Sequence, residues 1–293
     1  MFVQVHQNDT WSVCSGVVDN VETLDATSAP SLEKIVQHEF VGDTKDGGLA
    51  ICLAQVDGPA IPLYLQGPDG ATVEGMTGGL LTRIDDISSA TSNGEVNQVG
   101  PTFGDSSELH AGCHCGGVNF RITRPNALSH QCWSPWPDLI VPYHSSSPEN
   151  REDVKWWLRA NDSKYLAGTC ACRSCRLGSG SPIQAWAFIP KANLLQLDGK
   201  ALDYNMETLK RVESSKGCFR EFCSRCGATV FWHCLERPGL VDVSVGLLRA
   251  PEGSRAMTWL DWWTERVSFR EDALDEKLID NLEKGLQAIE FGG

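Results

Sequence analysis

Gly168-Thr169-Cys170-Ala171-Cys172-Arg173-Ser174-Cys175-Arg176 packs three cysteines into six positions. Residues two apart on an extended backbone point to the same side, so Cys170 and Cys172 can present both sulfurs to one point. A turn after Ser174 can add the sulfur of Cys175. Three converging thiols call for a metal. Soft thiolates select zinc, and a structural zinc site is normally closed by a fourth ligand nearby in sequence. None is adjacent here. Two readings stay open: a distant residue such as Cys132 closes the shell and the site only holds the fold, or the fourth position is left to water or substrate, as in catalytic zinc sites.

The totals around this stretch are those of a soluble globular protein: 293 residues, 22% charged and 41% hydrophobic,. That length allows one large domain or two modest ones. A formal net charge of −13 argues against a nucleic-acid or anionic-membrane surface,. Met1-Phe2-Val3-Gln4-Val5-His6 lacks the basic start and apolar core of a signal peptide, and no run approaches the ~20 apolar residues of a membrane helix,. The expectation is therefore a cytoplasmic chain with reduced thiols, whose 12 cysteines read as metal ligands before they read as disulfides,. Seven of them fall into three tight clusters, whereas Cys14, Cys52, Cys132, Cys218 and Cys234 stand alone.

Outward from the triad, Ala185-Trp186-Ala187-Phe188-Ile189 and Ala228-Thr229-Val230-Phe231-Trp232 are strand-like,. Trp259-Leu260-Asp261-Trp262-Trp263 suggests a helical turn, and Leu274, Leu278, Leu282, Leu286 and Ile289 recur at helical spacing, which predicts an amphipathic helix within 271–293,. Upstream, Cys113-His114-Cys115-Gly116-Gly117 leads into the alternating strand Val118-Asn119-Phe120-Arg121-Ile122. Residues 76–108 are rich in Gly, Ser, Thr, Asp and Asn and read as a linker,. Residues 1–75 alternate short apolar runs, Trp11–Val18, His38–Asp43 and Leu49–Leu53, with turn formers, and read as a β-rich unit without metal-type cysteine spacing,. Val13-Cys14-Ser15-Gly16-Val17-Val18 matches Val243-Ser244-Val245-Gly246-Leu247-Leu248 in pattern; Phe40 follows Gly16 by 24 positions and Phe269 follows Gly246 by 23. This is either a partial duplication or a coincidence between two apolar strands.

Cys113-His114-Cys115 and Cys223-Ser224-Arg225-Cys226-Gly227 supply two pairs of thiols. The second has zinc-knuckle spacing, in which Gly227 permits the tight backbone. Four thiolates make a closed tetrahedral site that would tie distant parts of a sheet together. His114, between two ligands, is expected to point away from the ion.

Cys113-His114-Cys115-Gly116, then Cys170-Ala171-Cys172-Arg173-Ser174-Cys175-Arg176 with Ser179-Gly180-Ser181, then Arg220-Glu221-Phe222-Cys223-Ser224-Arg225-Cys226-Gly227 resembles the glutathione-dependent formaldehyde-activating enzyme family, also called the centromere protein V/GFA domain. The resemblance covers roughly residues 109–250. It implies a mainly β, Mss4-like zinc-binding fold over 109–270. It also implies two zinc ions, a structural one on Cys113, Cys115, Cys223 and Cys226 and a catalytic one on Cys170, Cys172 and Cys175. Tandem forms known in fungi would make residues 1–75 a degenerate first copy. Two features depart from the family pattern. The N-terminal unit has no ligands, and 55 positions separate Cys115 from Cys170, an insert holding Trp133, Trp136, Trp156 and Trp157.

The activity implied is that of a carbon–sulfur lyase, joining a thiol such as glutathione to a small carbonyl or releasing it. Arg173, Arg176 and Trp186 are the candidate substrate-binding residues, with a solvated surface pair as the alternative for the two arginines. His233 reads as a buried histidine satisfied by backbone or as a catalytic one. Nine of the ten tryptophans lie between Trp133 and Trp263, which raises a second reading, a zinc-dependent lyase or isomerase for a bulkier, aromatic metabolite,. A third is a non-catalytic zinc scaffold.

Overall fold

The computed structural model describes residues 3–5, 11–13, 35, 37–53, 61–65, 107–138, 147 and 149–288. It is mainly β, with one longer helix near the C-terminus. A two-stranded antiparallel sheet joins β1 (Val3–Val5) and β2 (Trp11–Val13). β3 (Glu108–Gly112) and β4 (Asn119–Thr123) enclose the first cysteine pair. Then come β5 (Leu158–Arg159), β6 (Lys164–Cys170), β7 (Gln184–Pro190) and the short β8 (Leu194–Leu195). A meander follows, β9 (Leu209–Ser215), β10 (Cys218–Cys223), β11 (Thr229–Cys234) and β12 (Leu240–Ser244), and β13 (Leu260–Trp262) ends the series.

The main sheet runs β13-β6-β7-β12-β11-β10-β9, with β5 paired to β6. All its pairings are antiparallel except β13 on β6. β3, β4 and β8 form a separate three-stranded sheet. Phe120 and Ile122 alternate inward along β4, and Phe120 meets Phe231 of β11 at 5.0 Å between ring centroids, which joins the two sheets through one core,. β12 is buried along its whole length, because both faces of the sheet are covered there. The triad segment sits between β6 and β7. β6 delivers Cys170, and α1 (Arg173–Ser179) carries Cys175.

α2 (Glu276–Ala288) lies within the stretch expected to be helical, and Leu278, Leu282 and Leu286 form its buried stripe. Leu274 precedes it and Ile289 lies outside the described residues. The stripe packs on Cys52 and Leu53 from the N-terminal region, and on Ala171 and Val267. That packing explains one departure from expectation: Leu49–Leu53 is not a strand but part of a 3-10 helix over Gly48–Leu53. A short apolar run fits either geometry until a partner selects one, and α2 presents a helical groove. Likewise His38 makes only an isolated bridge to Leu63 before the chain turns into a 3-10 helix at Val41–Thr44. Trp259–Trp263 is not a helical turn. Leu260 and Trp262 are buried with Asp261 between them half-buried, a period of two, and the segment lies parallel beside β6.

Asp46 fixes the N-terminal segment to the main body. Its buried carboxylate accepts from the backbone N–H of Arg255 at 2.8 Å and from Ser254 Oγ at 3.0 Å, and lies 3.4 Å from Arg255 Nε. The expected linker lies outside the described residues up to 106, as does the echo strand beyond Val13. The two phenylalanines of the echo share a backbone feature. Phe40 (φ 57°) and Phe269 (φ 55°) are both left-handed, and each immediately precedes a 3-10 helix.

Candidate metal centre

Two cysteine clusters could each hold a metal ion. The Sγ atoms of Cys113, Cys115, Cys223 and Cys226 all lie within 4.8 Å of one another. Cys115 is 3.6 Å from Cys113 and 3.5 Å from Cys223. The edge of a sulfur tetrahedron around zinc, with metal–sulfur bonds of about 2.3 Å, is about 3.8 Å, so the donor set fits that ion. The tight turns do the gathering. Cys113 Sγ accepts from the backbone N–H of Val118 at 3.3 Å, and Gly227 takes φ 74°, a left-handed conformation that a side chain would strain,. Thr208 Oγ1 lies 3.1 Å from Cys223 Sγ. Burial raises the Cys223 thiol, but Thr208 and the backbone N–H groups of Cys226 and Arg225 outweigh it and bring the thiol down to about 6, within reach of the thiolate a metal needs,. His114 is exposed and outside this set.

Cys170, Cys172 and Cys175 form the second cluster, again with all sulfurs within 4.8 Å, and no fourth Cys, His, Asp or Glu joins them among the described residues. Cys172 caps α1, its Sγ accepting from the backbone N–H of Cys175 at 3.3 Å, which swings Cys175 back over the end of β6. Cys175 Sγ also accepts from Trp186 Nε1 at 3.4 Å and from Arg220 Nη2 at 3.3 Å. Donation from the Cys170 and Cys172 thiols, reinforced by the Arg220 charge, holds Cys175 well below the ordinary thiol value. Cys170, which gives those hydrogen bonds and is buried, is pushed up. The cluster is thus built to share negative charge among three sulfurs, the condition for binding a soft cation.

Residues 154–266 match the family model of the glutathione-dependent formaldehyde-activating enzyme, GFA. The matched span contains the triad and the Cys223–Cys226 pair but not Cys113, Cys115 or α2; the fold brings those two cysteines in from outside it. Among solved structures, a crystal structure of a Rhodobacter sphaeroides protein, a Northeast Structural Genomics target, matches 53% of this chain and 99% of its own at 18% identity, with a TM-score of 0.28. No curated protein matches the chain.

Within the matched span the candidate substrate residues separate. Arg173 is exposed, whereas Arg176 is buried. Trp186 is also buried, and its indole N–H is committed to Cys175. Cys132 lies against Gly239 and is not part of the triad cluster. His233 is satisfied, but by a side chain rather than by backbone: its Nε2 lies 3.0 Å from Glu221 Oε1, and its ring stacks on Tyr204 with centroids 4.6 Å apart. The strand register puts this pair on the face of β10 and β11 opposite Arg220.

The sequence reading assigned no role to Arg220, Thr208, Arg237 or Asp242. Arg237 Nη2 donates to Asp242 Oδ1 at 2.7 Å, both side chains buried on the triad face of the sheet. Burial raises the Asp242 carboxyl, with the Arg237 charge opposing. The available signal was an aspartate inside the apolar run Leu240-Val241-Asp242-Val243, since a carboxylate among buried neighbours needs a partner,. Trp156, Trp157, Trp186, Trp259 and Trp262 are all core residues. A cavity of about 740 Å³ opens elsewhere, between residues 43–49 and 245–255, and no triad cysteine lines it.

Proposed function

We propose that this chain is a zinc-dependent enzyme of the carbon–sulfur lyase type, joining a thiol such as glutathione to a small carbonyl compound or releasing it. The observation that carries this is the triad: three buried or half-buried thiols converge, and no fourth protein ligand accompanies them among the described residues. The scaffold reading needs a closed shell there. The larger-metabolite reading needs an aromatic cavity at the triad, whereas most tryptophans of the matched span are packed in the core. On this proposal the four-cysteine cluster holds a structural zinc and the triad a second, catalytic one. The small-molecule substrate comes from the reducing environment of the cytoplasm.

A zinc ion held by three thiolates is a mild Lewis acid and supplies a seat for a fourth, substrate sulfur. The protein's own part is to hold that seat in place. Cys172 fixes the turn, Trp186 and Arg220 orient the Cys175 sulfur, and Ala171, fully buried under α2, anchors the segment from behind. When a thiol adds to a carbonyl, the carbon–sulfur bond forms and the proton leaving sulfur is balanced by one arriving at the carbonyl oxygen. Zinc K-edge absorption on the two-zinc protein tests the reading. Saturating glutathione is expected to convert the average shell to four sulfurs per zinc, and an unchanged shell would refute the thiol-binding role.

A further inference from the structure

Arg220 reaches from β10 to the triad and is only 8% exposed. Its Nε donates to Ser174 Oγ at 3.0 Å and its Nη2 to Cys175 Sγ at 3.3 Å. The guanidinium carbon lies 5.9 Å from the centre of the Trp186 ring. Its Nη1 is buried and has no hydrogen-bond acceptor. A buried guanidinium N–H without an acceptor is unfavourable, and both N–H groups of Nη1 lack one,. Gly178 stands beside it without a side chain, and a Cβ there would be at ordinary van der Waals distance, 3.9 Å, from Nη1.

Charge points the same way. Three thiolates around a divalent metal leave one net negative charge, which opposes an anionic fourth ligand. Arg220 cancels that charge, and the nearby Arg237–Asp242 pair is neutral as a whole. An incoming thiolate therefore meets a less anionic centre than the three thiolates and metal would make alone. A neutral donor such as imidazole gains nothing from the compensation.

We infer that Arg220 selects an anionic fourth ligand, a substrate thiolate, at the triad and discriminates it from neutral donors. The inference rests on the thiol-binding reading above. The thiol binds as its anion, its proton passing to solvent, and Arg220 offers Nη1 as the donor left for it.

Cobalt(II)-substituted protein gives a readout independent of activity. Glutathione and imidazole are titrated separately into wild type, Arg220→Gln and Arg220→Lys, following the sulfur-to-cobalt charge-transfer and ligand-field bands, with cobalt content measured in each. Arg220→Gln is expected to weaken glutathione binding by roughly 10–100-fold while changing imidazole binding by less than about threefold. Arg220→Lys is expected to keep the glutathione-to-imidazole ratio within about tenfold of wild type, because the charge stays while the fork is lost. Equal glutathione affinity in wild type and Arg220→Gln, or a parallel fall for both ligands, overturns the inference. If Arg220→Gln alone loses the triad cobalt, the ratio in Arg220→Lys decides, and a fall beyond about tenfold overturns it. Loss of that cobalt from both variants also overturns it, since Arg220 would then build the site rather than read the ligand. A wild type that does not respond to glutathione at all removes the thiol-binding reading and the inference with it.

Discussion

Replacing Gly285 by alanine has a sign that depends on whether the N-terminal segment is docked on α2. In an exposed helix interior alanine stabilises by about 1 kcal/mol over glycine, through backbone entropy. Here Gly285 faces the main chain of Cys52, and a Cβ would collide with the Cys52 carbonyl oxygen, its carbon and its Cα. Those are backbone atoms of a 3-10 helix whose Cys52 and Leu53 are buried against Leu278, Leu282 and Leu286, so none can swing aside as a side-chain tip would. Overpacking of this kind costs about 1–3 kcal/mol, and the upper part of that range applies when backbone must move. Subtracting the propensity gain leaves a net loss of about 1–2 kcal/mol.

The assay is urea unfolding of the zinc-loaded protein followed by tryptophan fluorescence. The midpoint is expected to fall with the m-value unchanged. Ala171 belongs to the same apolar cluster, so the variant should also release triad zinc to a chelator faster, while the four-cysteine site holds its ion as before. A Gly285→Ala protein as stable as wild type, or more stable, would refute the reasoning, because it would mean that α2 and residues 48–53 are apart in solution.

Two further outcomes follow from the site and its flank. Cys172→Ser is expected to lower zinc from two equivalents per chain to one in a folded protein, whereas Cys223→Ser should unfold much of the chain, as structural zinc contributes on the order of 10 kcal/mol; elemental analysis and circular dichroism distinguish the two. Burial holds the His38 imidazole below its ordinary value of 6.5, against a backbone hydrogen bond at Leu53 that raises it. The unfolded chain therefore takes up this proton first, so stability is lost as pH falls below 6.5 and levels off below the folded value, at a slope of up to about 1.4 kcal/mol per pH unit,. Unfolding midpoints followed from pH 7.5 down through 6.5 and below should fall with pH in wild type and fall less steeply in His38→Gln,.

Much of the candidate site was legible because metal ligation is locally encoded. Cys170, Cys172 and Cys175 announce their convergence by spacing alone, and Cys223-Ser224-Arg225-Cys226-Gly227 does the same through one turn. The strands that alternate, such as Asn119–Thr123, were legible for the equivalent reason. What was hidden depends on pairing across long distances. Arg220 stands inside a recognisable motif, but only the register of β10 on β11 puts it on the triad face and Glu221 on the other. Leu49–Leu53 could not be assigned from its own composition, since the helix that shapes it lies more than two hundred residues later. Trp259–Trp263 was misread because three tryptophans in five positions obscure the period of two that Leu260 and Trp262 obey.

The two cysteine clusters differ in how the chain builds them, and that difference bears on which is open. The four-cysteine cluster draws one pair from the turn between β3 and β4 and the other from the turn between β10 and β11, so two turns face each other and close the shell. The triad comes from a single stretch of six residues, and one turn can offer its thiols from one side only. Such a half-shell must be braced by something other than its own ligands. Trp186 and Arg220 brace it from the sheet, and Ala171 braces it through a cluster supplied by residues 52–53, 267 and α2. Residues 48–53, none of which joins either cluster, therefore still help to hold the triad in place, and changes at Cys52 or Gly285 should alter metal retention at Cys170, Cys172 and Cys175 without touching them.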